Sequence, residues 1–240
     1  MGRKLAIGDI HGCLKSLKTL LQFVQPVAKD VVIMLGDYVD RGPDSKGVID
    51  YLIDWPWEAK LILLKGNHEI IMDESAFSAD HLNYWCQVGG LETIASYDAR
   101  YANIPKSHWE FIRNTLPYYE TEKVIYVHGG VGPKKPLVKQ NPVNLAWRRF
   151  PDAKQHRSGK LVVCGHTIQR KGKPTDRGHT VCIDTAACRG RWLTCFNAKT
   201  GRYWQANEKG ETRKKRLKAW KVKRATKKLG PATTSSSPES

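Results

Sequence analysis

The chain is 240 residues long and 40% hydrophobic, which allows one good-sized core with a small attachment and leaves two full domains cramped. No apolar run is long enough to cross a bilayer, no signal-peptide core precedes Asp9, Ala6 stands where myristoylation at Gly2 would want Ser or Thr, and the six cysteines show no C-x-x-C spacing, so a cytoplasmic protein with reduced, structural thiols is expected. The formal net charge of +17 is gathered partly at the end of the chain, which says more about a tail than about the fold.

In chain order, short apolar runs recur at Leu5–Ile7, Val31–Leu35, Leu61–Leu64, Val124–Val127 and Leu161–Cys164. They are rich in Val, Ile and Leu and lack alternation, which predicts strands buried on both faces. Between them, Leu14, Leu17, Leu20, Leu21 and Val24 form an amphipathic helical stripe, and Asp44 precedes a second helix with Val48, Ile49 and Leu52. Residues 69–101 read as mostly helical around Trp85 and Gly89-Gly90. Ser107 and Glu110 suggest a capping box ahead of Phe111. Thr180–Ile183, Trp192–Phe196 and Arg202–Gln205 are expected as closing strands, with a turn at Thr200-Gly201. Strands alternating with helices give an α/β class. After Asn207 the pattern stops, so a catalytic unit over 1–207 and a basic, disordered tail over 208–240 are expected.

Polar motifs follow the five apolar runs: Asp9 and His11 after the first, Asp37 after the second, Asn67, His68 and Glu69 after the third, His128 after the fourth and His166 after the fifth. Strand carboxyl ends share one edge of a layered α/β protein, so three carboxylates, four imidazoles and an amide should converge there. Such a cluster is costly without cations. The oxygen and nitrogen donors, with no thiolate, suit manganese, iron, zinc or cobalt, and their number suits two ions, about 3.5–4 Å apart, as phosphoester hydrolysis uses. Arg41, beside Asp40 at a turn, has a fork that matches phosphate oxygens. Glu69 is read as orienting a histidine or capping the helix that follows. His81, His108, His156 and His179 are read as surface or loop histidines, and Tyr38 and Trp147 as either cleft or core.

Gly8-Asp-Ile-His-Gly12, Gly36-Asp-Tyr-Val-Asp-Arg-Gly42 and Gly66-Asn-His-Glu69, followed by His128-Gly-Gly130 and Gly165-His-Thr167, resemble the phosphoprotein phosphatases, a group of calcineurin-like metallophosphoesterases. The segment Gly89-Gly90…Thr93…Tyr97 and Ile183-Asp-Thr185 are similar to the bacterial and phage branch. The resemblance spans roughly residues 4–206. It implies a layered, β-sandwich-like core flanked by helices, with Asp9 and His11 on one metal, Asp37 bridging, and Asn67, His128 and His166 on the second. It implies a bridging hydroxide as nucleophile, His68 as general acid held by Asp40, and phosphate clamped by Arg41 and by an arginine after Trp147. That arginine is Arg149 by family spacing, with Arg148 as the alternative.

The expected activity is therefore a two-metal phosphomonoesterase of the serine/threonine protein phosphatase type, acting on phosphoproteins or small phosphomonoesters, with manganese foremost and iron or zinc as alternatives. A symmetrical diadenosine tetraphosphate hydrolase or a nucleic-acid-end phosphatase is the alternative. For the tail, a solvated extension is weighed against nucleic acid, to which Trp220 among its lysines would offer stacking, and against an acidic partner or membrane surface.

Overall fold

The computed structural model describes residues 2–218 and Trp220. In chain order the regular elements are β1 (Lys4–Ile7), α1 (Leu14–Val24), β2 (Val31–Met34), α2 (Ser45–Ile53), β3 (Lys60–Leu63), α3 (Asn67–Glu74), α4 (Ala79–Trp85), α5 (Leu91–Ala95), α6 (Lys106–Arg113), β4 (Tyr118–Glu120), β5 (Val124–Val127), α7 (Pro142–Trp147), β6 (Leu161–Cys164), β7 (Thr175–Asp176), β8 (Thr180–Cys182), β9 (Leu193–Asn197), β10 (Arg202–Ala206) and β11 (Thr212–Arg216). One sheet runs β11-β10-β9-β1-β2-β3 and the other β4-β5-β6-β8-β7.

The α/β, sandwich-like architecture follows from how the strands divide their side chains. Leu5, Ile7, Val32 and Met34 point into a core beneath α1 and α2, whereas Ala6, Ile33 and Leu35 point the other way. The second set meets Tyr126, Val163 and Val181 of the opposing sheet. Both faces of such a strand are covered past its first residue in β1 and β2, which is why the runs lack alternation. A third cluster, with Ile125, Val127, Val162 and Leu145, closes the outer face of the second sheet.

Register sets the position of the site. β1, β2 and β3 are parallel, with Ile7 opposite Met34 and Met34 opposite Leu63. β5, β6 and β8 are parallel as well, with Cys164 opposite Cys182. Six strands, three in each sheet, therefore deliver their carboxyl ends to one edge.

Two expectations need correction. The capping box at Ser107 is not formed, because α6 starts at Lys106 with Pro105 as its N-cap, which puts Ser107 inside the helix. The ordered chain also runs past Asn207. Asn207 Oδ1 accepts from the N–H groups of Lys209 and Glu211, Gly210 takes φ 85°, and β11 pairs antiparallel with β10 inside the stretch read as tail. Trp220 packs edge-on to Phe196, with ring centroids 5.3 Å apart, so it is seated on the sandwich. Lys221, Lys223, Arg224, Lys227 and Lys228 lie outside the described residues. Among the described residues, no helix is long and apolar enough to cross a membrane.

Candidate metal centre

Asp9, Asp37, His128 and His166 stand just past the ends of β1, β2, β5 and β6, and Asn67 opens α3 after β3. The chain turns sharply at these places. His11, Asp37, Asp40, Arg41 and His166 have φ between 45° and 73°, the left-handed region that costs a residue with a Cβ roughly 1 kcal/mol. A strand cannot continue through such a residue, so the side chain is turned out over the sheet edge.

Asp37 is the hub. His11 Nε2 lies 3.4 Å from its Oδ2, and His128 Nε2 lies 3.3 Å from its Oδ1. His128 Nε2 is also 3.0 Å from Asn67 Oδ1, and His166 Nδ1 is 2.8 Å from the same oxygen. Two groups of potential ligands result, His11–Asp37–His68 and Asp37–His128–His166, and they share Asp37. The Asp9 carboxylate sits behind them and accepts the backbone N–H of His166 on both oxygens, at 3.1 and 2.9 Å.

The donor set fits cations. His11 Nδ1 lies 2.8 Å from the carbonyl of Val39, and His128 Nδ1 lies 3.0 Å from that of Leu35. A carbonyl can only accept, so each Nδ1 carries a proton and each Nε2 is the ring nitrogen turned towards Asp37, the atom that could hold a cation. Lone pair facing carboxylate is repulsive unless a proton or a metal ion lies between them. Charge leads to the same conclusion. Burial, then Asp184, pushes Asp9 well above the usual carboxylate range. Burial also raises Asp37, but His128 and His68 outweigh it and hold that carboxyl well below its ordinary value. Burial opposes a charge on His128, yet Asp37 overrides it and lifts the imidazole to about 10. Burial depresses His11 to about 3, and burial followed by His128 depresses His166 to about 4.

A second constellation adjoins the first. His68 Nδ1 is 2.6 Å from Asp40 Oδ2, and its ring stands edge-on to His11 with centroids 4.8 Å apart. Trp85 Nε1 donates to both Asp40 oxygens at 2.9 and 3.1 Å. Thr93 Oγ1 donates to Asp40 Oδ1 at 2.8 Å and accepts the Asp40 N–H at 2.8 Å. Arg41 Nη1 reaches His11 Nε2 at 3.0 Å, while its N–H donates to the carbonyl of Gly89. Gly89, at φ 126° inside a π-turn between α4 and α5, touches Arg41 so closely that a Cβ would stand 2.7 Å from Arg41 Cγ.

Glu69 caps α3 and braces the β2 loop. Its Oε2 accepts the N–H groups of Asp37 and Gly66 and its Oε1 that of Tyr38, while burial, then Asp37, lifts it to about 7. Its charge also helps to raise His128. Tyr38 is core, with its hydroxyl donating to the carbonyl of Leu64. Trp147 is 40% exposed at the rim, its ring 6.0 Å from that of His166. Arg148 and Arg149 are both exposed. The Arg149 charge helps to depress His166, whereas Arg148 turns towards Gly130 and Gly132.

His108 and His156 are not surface residues. His108 is buried between the Tyr97 hydroxyl at 2.7 Å and Asp50 at 2.9 Å, and His156 is buried against the carbonyl of Lys135. Trp85, Thr93 and Asp184 are site residues to which the sequence assigned no role, although Thr93 and Asp184 lie in segments named for the resemblance. Asp184, lifted to about 6 by burial and Asp37, follows an apolar run as Asp9 does, within Ile183-Asp-Thr185.

The calcineurin-like phosphoesterase family profile matches residues 2–192. Among curated relatives, the symmetrical bis(5'-nucleosyl)-tetraphosphatase of Buchnera aphidicola is 35% identical over 133 residues, 53% of this chain and 44% of that protein, so the match covers less than half the relative's length. The asymmetrical bis(5'-nucleosyl)-tetraphosphatase PrpE of Anoxybacillus flavithermus is 28% identical over 220 residues, 79% of this chain and 88% of its own. Serine/threonine-protein phosphatase 2 of Escherichia coli is 39% identical over 85 residues, 35% of this chain and 37% of its own. In fold, the chain is similar to a cold-active protein-tyrosine phosphatase of a Shewanella species, with TM-score 0.61 and 16% identity over 89% of this chain and 80% of that one.

Proposed function

The chain belongs to the calcineurin-like phosphoesterase family, a family of metal-dependent hydrolases, and from that premise we propose that it is a two-metal phosphomonoesterase of the serine/threonine protein phosphatase type. One observation supports the reading: two imidazoles, each with its Nδ1 proton on a backbone carbonyl, turn their Nε2 atoms towards the two oxygens of one carboxylate. Asp9 and His11 would hold one ion, Asn67, His128 and His166 the other, and Asp37 would serve both, with manganese foremost and iron or zinc as alternatives. When bound, such a pair of ions activates water and stabilises charge developing on phosphoryl oxygens.

The chain's own residues do the rest. Arg41 and Arg149 orient the phosphoryl group, Arg41 through a guanidinium already placed beside His11. His68 gives the Nε2 proton to the departing alkoxide, while Asp40 holds its Nδ1 and compensates the ring's charge. Asp40 is in turn fixed by Trp85 and Thr93, so the donor cannot swing away.

The match along 88% of PrpE favours a second reading, hydrolysis of a dinucleoside tetraphosphate. The cavity of about 190 Å³ beside Trp147 and Arg149 includes none of the metal-centre side chains, so it does not separate the two readings. Turnover of a phosphoserine peptide, an aryl phosphate and diadenosine tetraphosphate, compared side by side with manganese, tests the choice. The peptide and the aryl phosphate are expected to be cleaved. Faster turnover of the tetraphosphate would install the second reading, and no turnover of any of the three would refute both. His68→Asn should slow an alkyl phosphate far more than an aryl one, because an aryloxide leaves with little protonation.

A further inference from the structure

Away from the metal centre, at the edge where the sandwich ends, the two sheets part around a groove of about 750 Å³. One wall is the segment from Gln169 to Asp176, including β7, and the other is β11 and the residues after it. Arg170, Lys171 and Lys173 line the first wall, and Lys215, Arg216 and Lys218 line the second, all of them exposed. Asp176 is the sole acid among the lining residues, and none of these six cations forms an ion pair among the described residues.

The positions are revealing. Arg213 and Lys215 stand opposite Gln205 and Tyr203 of β10, on the strand face that elsewhere in the sheet carries Ala6, Ile33 and Phe196 into the inter-sheet core. Here that face carries charge. Arg213 is locked in place by Gln205 Oε1 at 2.7 Å, by the carbonyl of Gly172 at 2.6 Å and by stacking on Trp192 at 4.0 Å. It ties the two walls together. The walls are held and the cations between them are left unneutralised, and the β11 wall lies beyond the residues matched to the family.

We infer that this groove binds the backbone of a single-stranded nucleic acid without reading its sequence. Like cations facing each other cost stability unless an anion enters between them. A protein partner would need an apolar centre, whereas the exposed side chains of the groove are charged or polar, with Leu217 half-buried and Pro174 and Tyr203 buried. Cations on two facing walls suit a chain of phosphates running between them, whereas a duplex would rest on only one wall. Trp192 is occupied by Arg213 and Trp220 by Phe196, so stacking contributes little and phosphate contacts dominate. The inference does not depend on which phosphoester is hydrolysed.

The test uses the full chain and fluorescence anisotropy with a labelled single-stranded oligonucleotide. In the variant Lys171→Gln/Lys173→Gln/Lys215→Gln/Lys218→Gln, affinity should fall at least about tenfold at roughly 100 mM salt, and the slope of log K against log salt should become shallower by about 2 to 3. Aryl phosphate turnover and the melting temperature should stay as in the wild type, which shows that the fold and the metal centre are intact. Wild-type affinity in the variant would overturn the inference, because binding would then lie elsewhere. Preference for a duplex, or for polyglutamate of equal charge, would overturn it as well.

Discussion

Thr93→Val isolates the support of the proposed proton donor. The side chain is fully buried, and valine keeps its shape while removing the hydroxyl. Two bonds to Asp40 vanish: the charge-assisted one onto Oδ1, and the one accepting the Asp40 N–H, which keeps Ser45 Oγ at 3.1 Å as its remaining partner. A bond to a charged group contributes about 1.5–3 kcal/mol and a neutral one about 1, so a loss of about 3 kcal/mol is expected. For a chain of this size that is a fall of about 6–12 °C in melting temperature, measurable by calorimetry. Asp40 would hold His68 less firmly, so kcat on an alkyl phosphate should drop about tenfold with little change on an aryl phosphate. An unchanged melting temperature would refute the hydrogen-bond accounting, and equal slowing of both substrates would refute the link from Thr93 through Asp40 to His68.

Asp37→Asn should remove bound metal and turnover together, because both ligand groups share that carboxylate; metal analysis of the purified variant checks it, and retained metal would break the bridging assignment. Gly89→Ala should raise KM and weaken inhibition by inorganic phosphate about tenfold, since the new methyl displaces Arg41 and the backbone at φ 126° resists a Cβ. Asp30→Asn should cost about 2 kcal/mol near neutral pH, read by urea titration. Burial raises Asp30, but the bonds from Arg3 outweigh it and hold the carboxyl below its ordinary value. Its contribution is therefore full above the unfolded value of about 3.9 and disappears as pH falls through the lower native value, so the two urea curves should converge in acid.

The convergence of Asp9, His11, Asp37, Asn67, His128 and His166 was legible because parallel strands end on one edge, and each run of Val, Ile and Leu marked such an end. What surrounds the ligands was not. Trp85 and Thr93 meet Asp40 across 45 and 53 residues, and His108 finds its partners on α2 and at Tyr97, contacts that no local spacing encodes. The close approach of Gly89 to Arg41 gives the Gly89-Gly90 pair a physical reason that its sequence context lacks. Thr212–Arg216 reads as tail because cations occupy both faces of the strand. Only the turn chemistry of Asn207 and Gly210 hinted at a hairpin.

The left-handed backbone at His11, Asp37, Asp40, Arg41 and His166 sets what can be improved in this protein. Glycine at any of these positions would relax the main chain, so a selection that rewards heat resistance alone should drift towards it. A selection that rewards turnover should reject the same replacement every time. The two pressures diverge at these five positions, and variants pooled from both, with an aryl phosphate as the turnover probe, would map the reactive edge.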